Sequence, residues 1–191
     1  MGGKASFIRR MFSDISPRYD LLNTVLSFGL DGSWRKFAAE QCRLSAGGLA
    51  LDAATGTAEL SRHLARLNHN ATIVGIDFSP EMLGRARSKM AVARDGQRVW
   101  LVLGDVLRLP FPDNTFDCVA SGFSLRNVAD LAGAFREMAR VTKPGGRVVT
   151  LELTRPSPAV ARAIHTLQMR YVTPFLGSLI SGDKEAYEYL P

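Results

Sequence analysis

The chain has 191 residues, 46% of them hydrophobic and 22% charged, the balance of one globular domain with a substantial core. No apolar run approaches the roughly 18 residues a membrane span needs, and the N-terminus lacks a signal peptide's apolar stretch and cleavage site, so a cytoplasmic protein is expected. A net charge of +6 favours an anionic partner, and the only two cysteines, Cys42 and Cys118, lack metal-ligand spacing and read as reduced, structural thiols.

In chain order, residues 1–46 read as a helical lid. Phe7, Ile8, Met11, Phe12 and Ile15 have helical spacing beside Arg9, Arg10 and Arg18, a patch suited to peripheral contact with a membrane surface. From residue 47 to 153, strand and helix alternate. Apolar runs at Gly48 to Asp52 and Thr72 to Asp77 read as buried parallel strands, with Leu60, Leu64 and Leu67 marking a helix between them. Pro80 opens the next helix at its first turn. Further strands are expected at Val99 to Leu103, Phe116 to Ser121 and Arg147 to Leu153, with a helix at Ala129 to Val141 before the last. Lys143-Pro144-Gly145-Gly146 reads as the turn between that helix and its strand. The pattern predicts a doubly wound, mostly parallel α/β sheet of Rossmann-like form, followed at 154–191 by an apolar helical segment carrying Ile164, Leu167, Tyr171, Phe175 and Leu179.

In such sheets, ligands settle beyond the carboxyl ends of the strands, where strand order reverses. The first strand ends on Asp52 and leads into Ala53-Ala54-Thr55-Gly56-Thr57-Ala58-Glu59, whose small residues let a ligand approach the backbone. An acid at that point suits a cationic headgroup better than a dinucleotide pyrophosphate, which favours S-adenosylmethionine (SAM) over a nicotinamide cofactor. Asp77 ends the second strand, where a carboxylate accepts from ribose hydroxyls. Asp105 follows the third, where it can accept from an exocyclic adenine amine while Val106 covers the ring. Asp52 and Asp77 could instead cap helices, although two acids ending successive strands favour ligand contacts. The loop after the fourth strand, Ser121 to Asn127, would face the reacting centre; there Arg126 and Asn127 could equally serve to pin the loop. The histidines 63, 69 and 165 form no metal pattern, and no metal is expected.

Four stretches, Asp77-Phe-Ser-Pro-Glu-Met-Leu83, Leu109-Pro-Phe-Pro-Asp-Asn-Thr-Phe-Asp117, Phe123-Ser-Leu-Arg-Asn-Val128 and Arg140-Val-Thr-Lys-Pro-Gly-Gly146, closely resemble the ubiquinone/menaquinone biosynthesis C-methyltransferases. Phe12-Ser-Asp-Ile-Ser-Pro-Arg-Tyr-Asp20, Asn23, Ser27-Phe-Gly29 and Trp34-Arg35 agree as well, so the resemblance covers nearly the whole chain. It implies cofactor contacts from Thr57, Asp77, Asp105 and Val106, and places Arg126 and Asn127 near a reacting isoprenoid quinol. Gly56, Phe78 and Gly122 are counted with the cofactor contacts. The chain departs from the family at Ala58, which stands where the first loop's last glycine is expected and would weaken the cofactor's hold, and at Ser124, which replaces a glycine. The family continues into another helix and two strands, so the fifth strand is expected to be an exposed edge through which a homodimer could pair.

The implied reaction is in-line attack of an electron-rich ring carbon of demethylmenaquinol, or a related benzoquinol, on the SAM methyl group, with S-adenosylhomocysteine as product. A guanidinium stays protonated, so Arg126 is expected to stabilise developing quinolate charge with Asn127 holding it, while Tyr19 and Asp20 are further candidates for proton handling. The apolar segment after residue 153 would take the isoprenoid tail. A methyltransferase for another small molecule and a non-catalytic SAM-binding subunit are the competing readings. Nothing points to nucleic acid.

Overall fold

The computed structural model describes residues 19–153. The expected amphipathic stretch at 7–15, the arginines beside it and the apolar segment 154–191 lie outside the described residues, as does the side chain of Tyr19.

The apolar runs form strands as their patterns dictate: β1 (Leu49–Ala53), β2 (Thr72–Asp77), β3 (Val99–Leu103) and β4 (Phe116–Gly122), joined by β5 (Thr142–Leu151). They make one five-stranded sheet in the order β3-β2-β1-β4-β5, and every pair is parallel. Two helices precede it, α1 (Tyr19–Leu26) and α2 (Asp31–Gln41). Three more, α3 (Glu59–Leu67), α4 (Pro80–Val92) and α5 (Leu131–Val141), connect the strands. Strand order runs outward from β1 to β3 on one side and from β4 to β5 on the other, so it reverses between β1 and β4. A crevice is expected there.

Each face of the sheet buries its own cluster. On one, Leu60 and Leu64 of α3, Ala38 and Ala39 of α2 and Cys42 just after it meet Ala50, Ile73, Cys118 and Ala120. On the other, Met138 and Val141 of α5 meet Leu51, Ile76, Phe116 and Val119. Burying a side chain such as Leu64 or Ile73 contributes roughly 1.5–3 kcal/mol, so these clusters fix the sheet on which the site stands. Although distant in sequence, Cys42 and Cys118 lie in one cluster as free thiols; the neighbouring Cys118 thiol and burial push the Cys42 thiol far up, which keeps it protonated.

Helix starts follow local chemistry. Ser79 Oγ caps α4 by accepting from Met82 N at 3.2 Å, with Pro80 in the first turn. Asp130 Oδ1 caps α5 by accepting from Gly133 N at 2.8 Å, so that helix begins at Leu131 rather than Ala129.

The last strand departs from expectation. Lys143-Pro144-Gly145-Gly146 is not a turn ahead of the strand but an irregularity within it: Thr142 pairs with Phe116, and pairing resumes with Arg147 opposite Cys118. Asp117 thus faces the extra residues, and its carboxylate accepts from Lys143 Nζ at 2.7 Å and from Leu49 N at 2.8 Å, tying the bulge to β1. Gly145, at φ +79°, makes the reversal without the Cβ penalty. The strand ends at Leu151, short of the expected Leu153, and the Glu152 carboxylate just beyond it accepts from Leu125 N at 2.7 Å. Among the described residues, no helix is long and apolar enough to cross a membrane.

Candidate functional site

A cavity of about 180 Å³ opens at the carboxyl ends of the strands, where their order reverses. Asp52, Gly56, Thr57, Asp77, Phe78, Asp105, Val106, Gly122 and Asn127 all line it, so residues spread over much of the sequence share one wall system. Arg126 is exposed and does not line it, although it precedes Asn127 in the turn Leu125–Asn127.

The loop after β1 is shaped by its backbone. Ala54, Gly56 and Ala58 all have left-handed φ, at 57°, 56° and 64°. Gly56 has open space where a Cβ would stand, leaving its peptide accessible to a ligand. Ala58 bears the strain of a non-glycine residue there, about 1–2 kcal/mol. Its methyl is fully buried in a cluster with Ala86 and Met90 and does not line the cavity. The departure from the family's glycine therefore costs backbone strain rather than ligand space.

Asp52 is 1% exposed, and its Oδ2 accepts from Thr55 Oγ1 at 2.7 Å, Ser61 N at 2.9 Å and Ser61 Oγ at 2.7 Å. Burial outweighs these bonds and pushes its pKa up to about 6. Asp77 accepts from Gly56 N at 2.8 Å through Oδ2 and from Ser79 N at 2.9 Å through Oδ1, so one carboxylate joins the β1 and β2 loops. Burial holds Asp77 above the usual carboxylate range, and the backbone N–H bonds oppose the shift. A carboxylate has about four acceptor positions, so Asp77 retains capacity for ribose hydroxyls. Asp105 is exposed, accepts from Leu107 N at 2.9 Å, and stands beside buried Val106.

Asp20 does not line the cavity. Its carboxylate accepts from Thr57 Oγ1 at 2.6 Å and pairs with Lys89, which also contacts Glu59 Oε1 at 2.9 Å. Helix α1 is thereby fastened to the loop after β1 and to α4. Glu59 is pushed up by burial, but Lys89 and Arg62 together hold it below its ordinary value.

Several lining residues carried no sequence signal for this role. Arg35 of α2 is 6% exposed, lines the cavity, pairs with Asp31 and lies 5.0 Å over the Phe123 ring. Phe123, at φ +57°, also meets Trp34 edge-on at 6.3 Å between centroids. Trp34 and Arg35 entered the sequence reading only as part of the family resemblance, with no role attached.

The fold is shared by solved structures. The [4+2]-cyclase SpnF superposes with a TM-score of 0.67 at 26% identity, covering 79% of this chain and 61% of its own. A Methanococcus maripaludis protein assigned to the S-adenosylmethionine-dependent methyltransferases superposes at 0.63 with 25% identity, over 90% of this chain and 78% of its own. The family model described as the ubiE/COQ5 methyltransferase family matches residues 1–191. The chain belongs to that family. It is a methyltransferase. It is 43% identical over 189 residues to the ubiquinone/menaquinone biosynthesis C-methyltransferase UbiE of Geobacter sulfurreducens, covering 98% of this chain and 73% of that one. It is 47% identical over 181 residues to the demethylmenaquinone methyltransferase of Thermus thermophilus, covering 95% and 81%.

Proposed function

We propose that this methyltransferase uses SAM to methylate a ring carbon of an isoprenoid quinol, with demethylmenaquinol as the preferred acceptor and a benzoquinol as the second. The observation that carries the reading is the alignment of Asp52, Asp77 and Asp105 at the ends of three adjacent strands, all opening into one cavity that also takes Asn127 from the loop after β4. Its relatives UbiE and the demethylmenaquinone methyltransferases supply the acceptor class.

The residues fit the cofactor on their chemistry. Asp52 would face the cationic amino-acid end, Asp77 the ribose, and Asp105 with Val106 the adenine, while Gly56 leaves its backbone open to close approach. SAM supplies the electrophilic methyl carbon. The chain's task is alignment, worth roughly 7–11 kcal/mol in favourable cases, together with shielding of the reacting atoms from water. Asn127 lines the cavity and would orient the acceptor's hydroxyl group. Arg126, next to it at the rim, would stabilise negative charge that develops on the quinol oxygen as its proton leaves. Asp20 serves to hold Thr57 and the cofactor loop, which its bonds to Thr57 and Lys89 support better than proton transfer. Peripheral contact with the cytoplasmic membrane surface would deliver the isoprenoid acceptor.

The test is calorimetric titration of the whole chain with SAM and S-adenosylhomocysteine, followed by turnover with demethylmenaquinol in detergent. Binding of both nucleosides and methylation of the quinol are expected. Binding without turnover on any quinol would overturn the acceptor assignment, and no binding of either would overturn the cofactor assignment.

A further inference from the structure

The cavity's charge is lopsided. Asp52, Glu59, Asp77 and Asp105 line it, and among the described residues Arg35 is the one Lys or Arg side chain that does so. A buried guanidinium at 6% exposure is costly unless it is paired, and Asp31 supplies one partner through Nη1. Asp31 is itself fixed, since Ser27 Oγ both donates to its carboxylate at 3.2 Å and accepts from its backbone N–H at 3.1 Å. The Phe123 ring supports one face of the guanidinium at 5.0 Å. These contacts hold the group in place and engage only part of its five-donor fork.

Its position within the cavity is informative. Asp77 and Asp105 lie toward β2 and β3, where the nucleoside would rest. Arg35 lies on the opposite side, against the loop after β4 and near enough to Glu59, at the start of α3, for its charge to bear on it. That is the end of the cavity where Asp52 would meet an ammonium group. An amino acid joined to a nucleoside also carries a carboxylate, which the four acids around it would repel. We propose that Arg35 receives the carboxylate of the SAM amino-acid moiety, with Asp31 and Phe123 acting as positioning residues that fix its fork. The pairing of Asp52 with the ammonium and Arg35 with the carboxylate makes the cavity read a zwitterion rather than a simple cation. This inference rests on the cofactor assignment above.

The experiment is a ligand-by-variant cycle read by calorimetry on the full chain. The ligands are S-adenosylhomocysteine and its decarboxylated analogue, S-adenosyl-3-thiopropylamine, and the proteins are wild type, Arg35→Met and Arg35→Lys. Wild type is expected to prefer the carboxylate-bearing ligand by about 10- to 100-fold, the size of a charge-assisted hydrogen-bond pair. In Arg35→Met that preference should collapse to within about threefold, with the decarboxylated ligand bound nearly as before; that retained binding also reports that the variant is folded. Arg35→Lys should fall between, and it carries the same comparison if the methionine variant does not fold. Wild-type preference that persists in the variants would overturn the inference and leave the cofactor assignment standing. Failure of the unaltered protein to bind either ligand would overturn both.

Discussion

The two halves of the cavity are built differently. The half at the ends of β1 and β2 is buried and cross-linked by internal bonds: Asp52 takes three hydrogen bonds on a single oxygen, and Asp77 takes backbone N–H groups from two loops. The half formed after β4 is a short turn at the surface, with Arg126 exposed and Asn127 half-buried, held at Leu125 by Glu152. Cofactor binding by this account is preorganised in the core of the fold, whereas acceptor chemistry depends on a few side chains that a loop carries to the rim. A change in one half should therefore register in affinity, and a change in the other in turnover.

The sharpest break with that division comes from the turn. Arg126→Met and Asn127→Ala should each lower kcat by about 100- to 1000-fold with the SAM dissociation constant moved by less than about threefold, measured by steady-state kinetics beside calorimetry. Asp77→Ala should do the reverse. Losing ribose contacts and releasing the Gly56 and Ser79 N–H groups should weaken SAM by about 100-fold, the cost of two or so hydrogen bonds to a charged group.

Asp52→Asn tests a trade-off inside the buried half. Because its folded pKa, about 6, lies above the ordinary 3.8, Asp52 leaves the fold unpenalised below about pH 4, and the cost of its buried charge appears as pH rises through 6. Asparagine keeps an acceptor for Thr55 and Ser61 without that charge. The variant should therefore be more stable than wild type at pH 8 by about 1–3 kcal/mol, with the gain vanishing toward pH 4 in thermal melts. It should also bind SAM about 10-fold more weakly. An advantage that does not change with pH would show that Asp52 is not the ionised group. The smallest effect is expected at Ala58→Gly. Relief of left-handed strain, about 1–2 kcal/mol, is offset by the lost methyl and the looser unfolded chain, so stability and SAM affinity should both stay within about 1 kcal/mol of wild type.

Much of the sheet was legible because its parallel strands read as apolar runs, even at the edge strand β3 where Trp100 and Leu103 are exposed, and β1 to β4 stand within a residue or two of their expected bounds. The start of β5 was hidden by Lys143-Pro144-Gly145-Gly146, whose turn-forming residues are the means by which the strand bulges past Asp117. That the strand-end acids Asp52, Asp77 and Asp105 would gather at one place was legible because a carboxylate at a strand's end has few uses. The donors that hold them, Thr55 and Ser61, were not, since hydroxyls suit caps, turns and helix surfaces alike. Asp20 was read for proton transfer because no local pattern reveals Lys89, brought to it only by the packing of α4 beside the loop after β1. Arg35 gave no warning either: an arginine in a helix ordinarily reaches water, and only the position of Phe123 and Asp31 turns this one inward.

Carbon methylation of the quinol ring can be read from the fate of an isotope-labelled methyl group when labelled SAM is turned over with demethylmenaquinol. Nuclear magnetic resonance of the extracted product should place the label on a ring carbon, in an amount stoichiometric with S-adenosylhomocysteine formed. Label on a quinol oxygen, or S-adenosylhomocysteine formed only with a different acceptor, would contradict it.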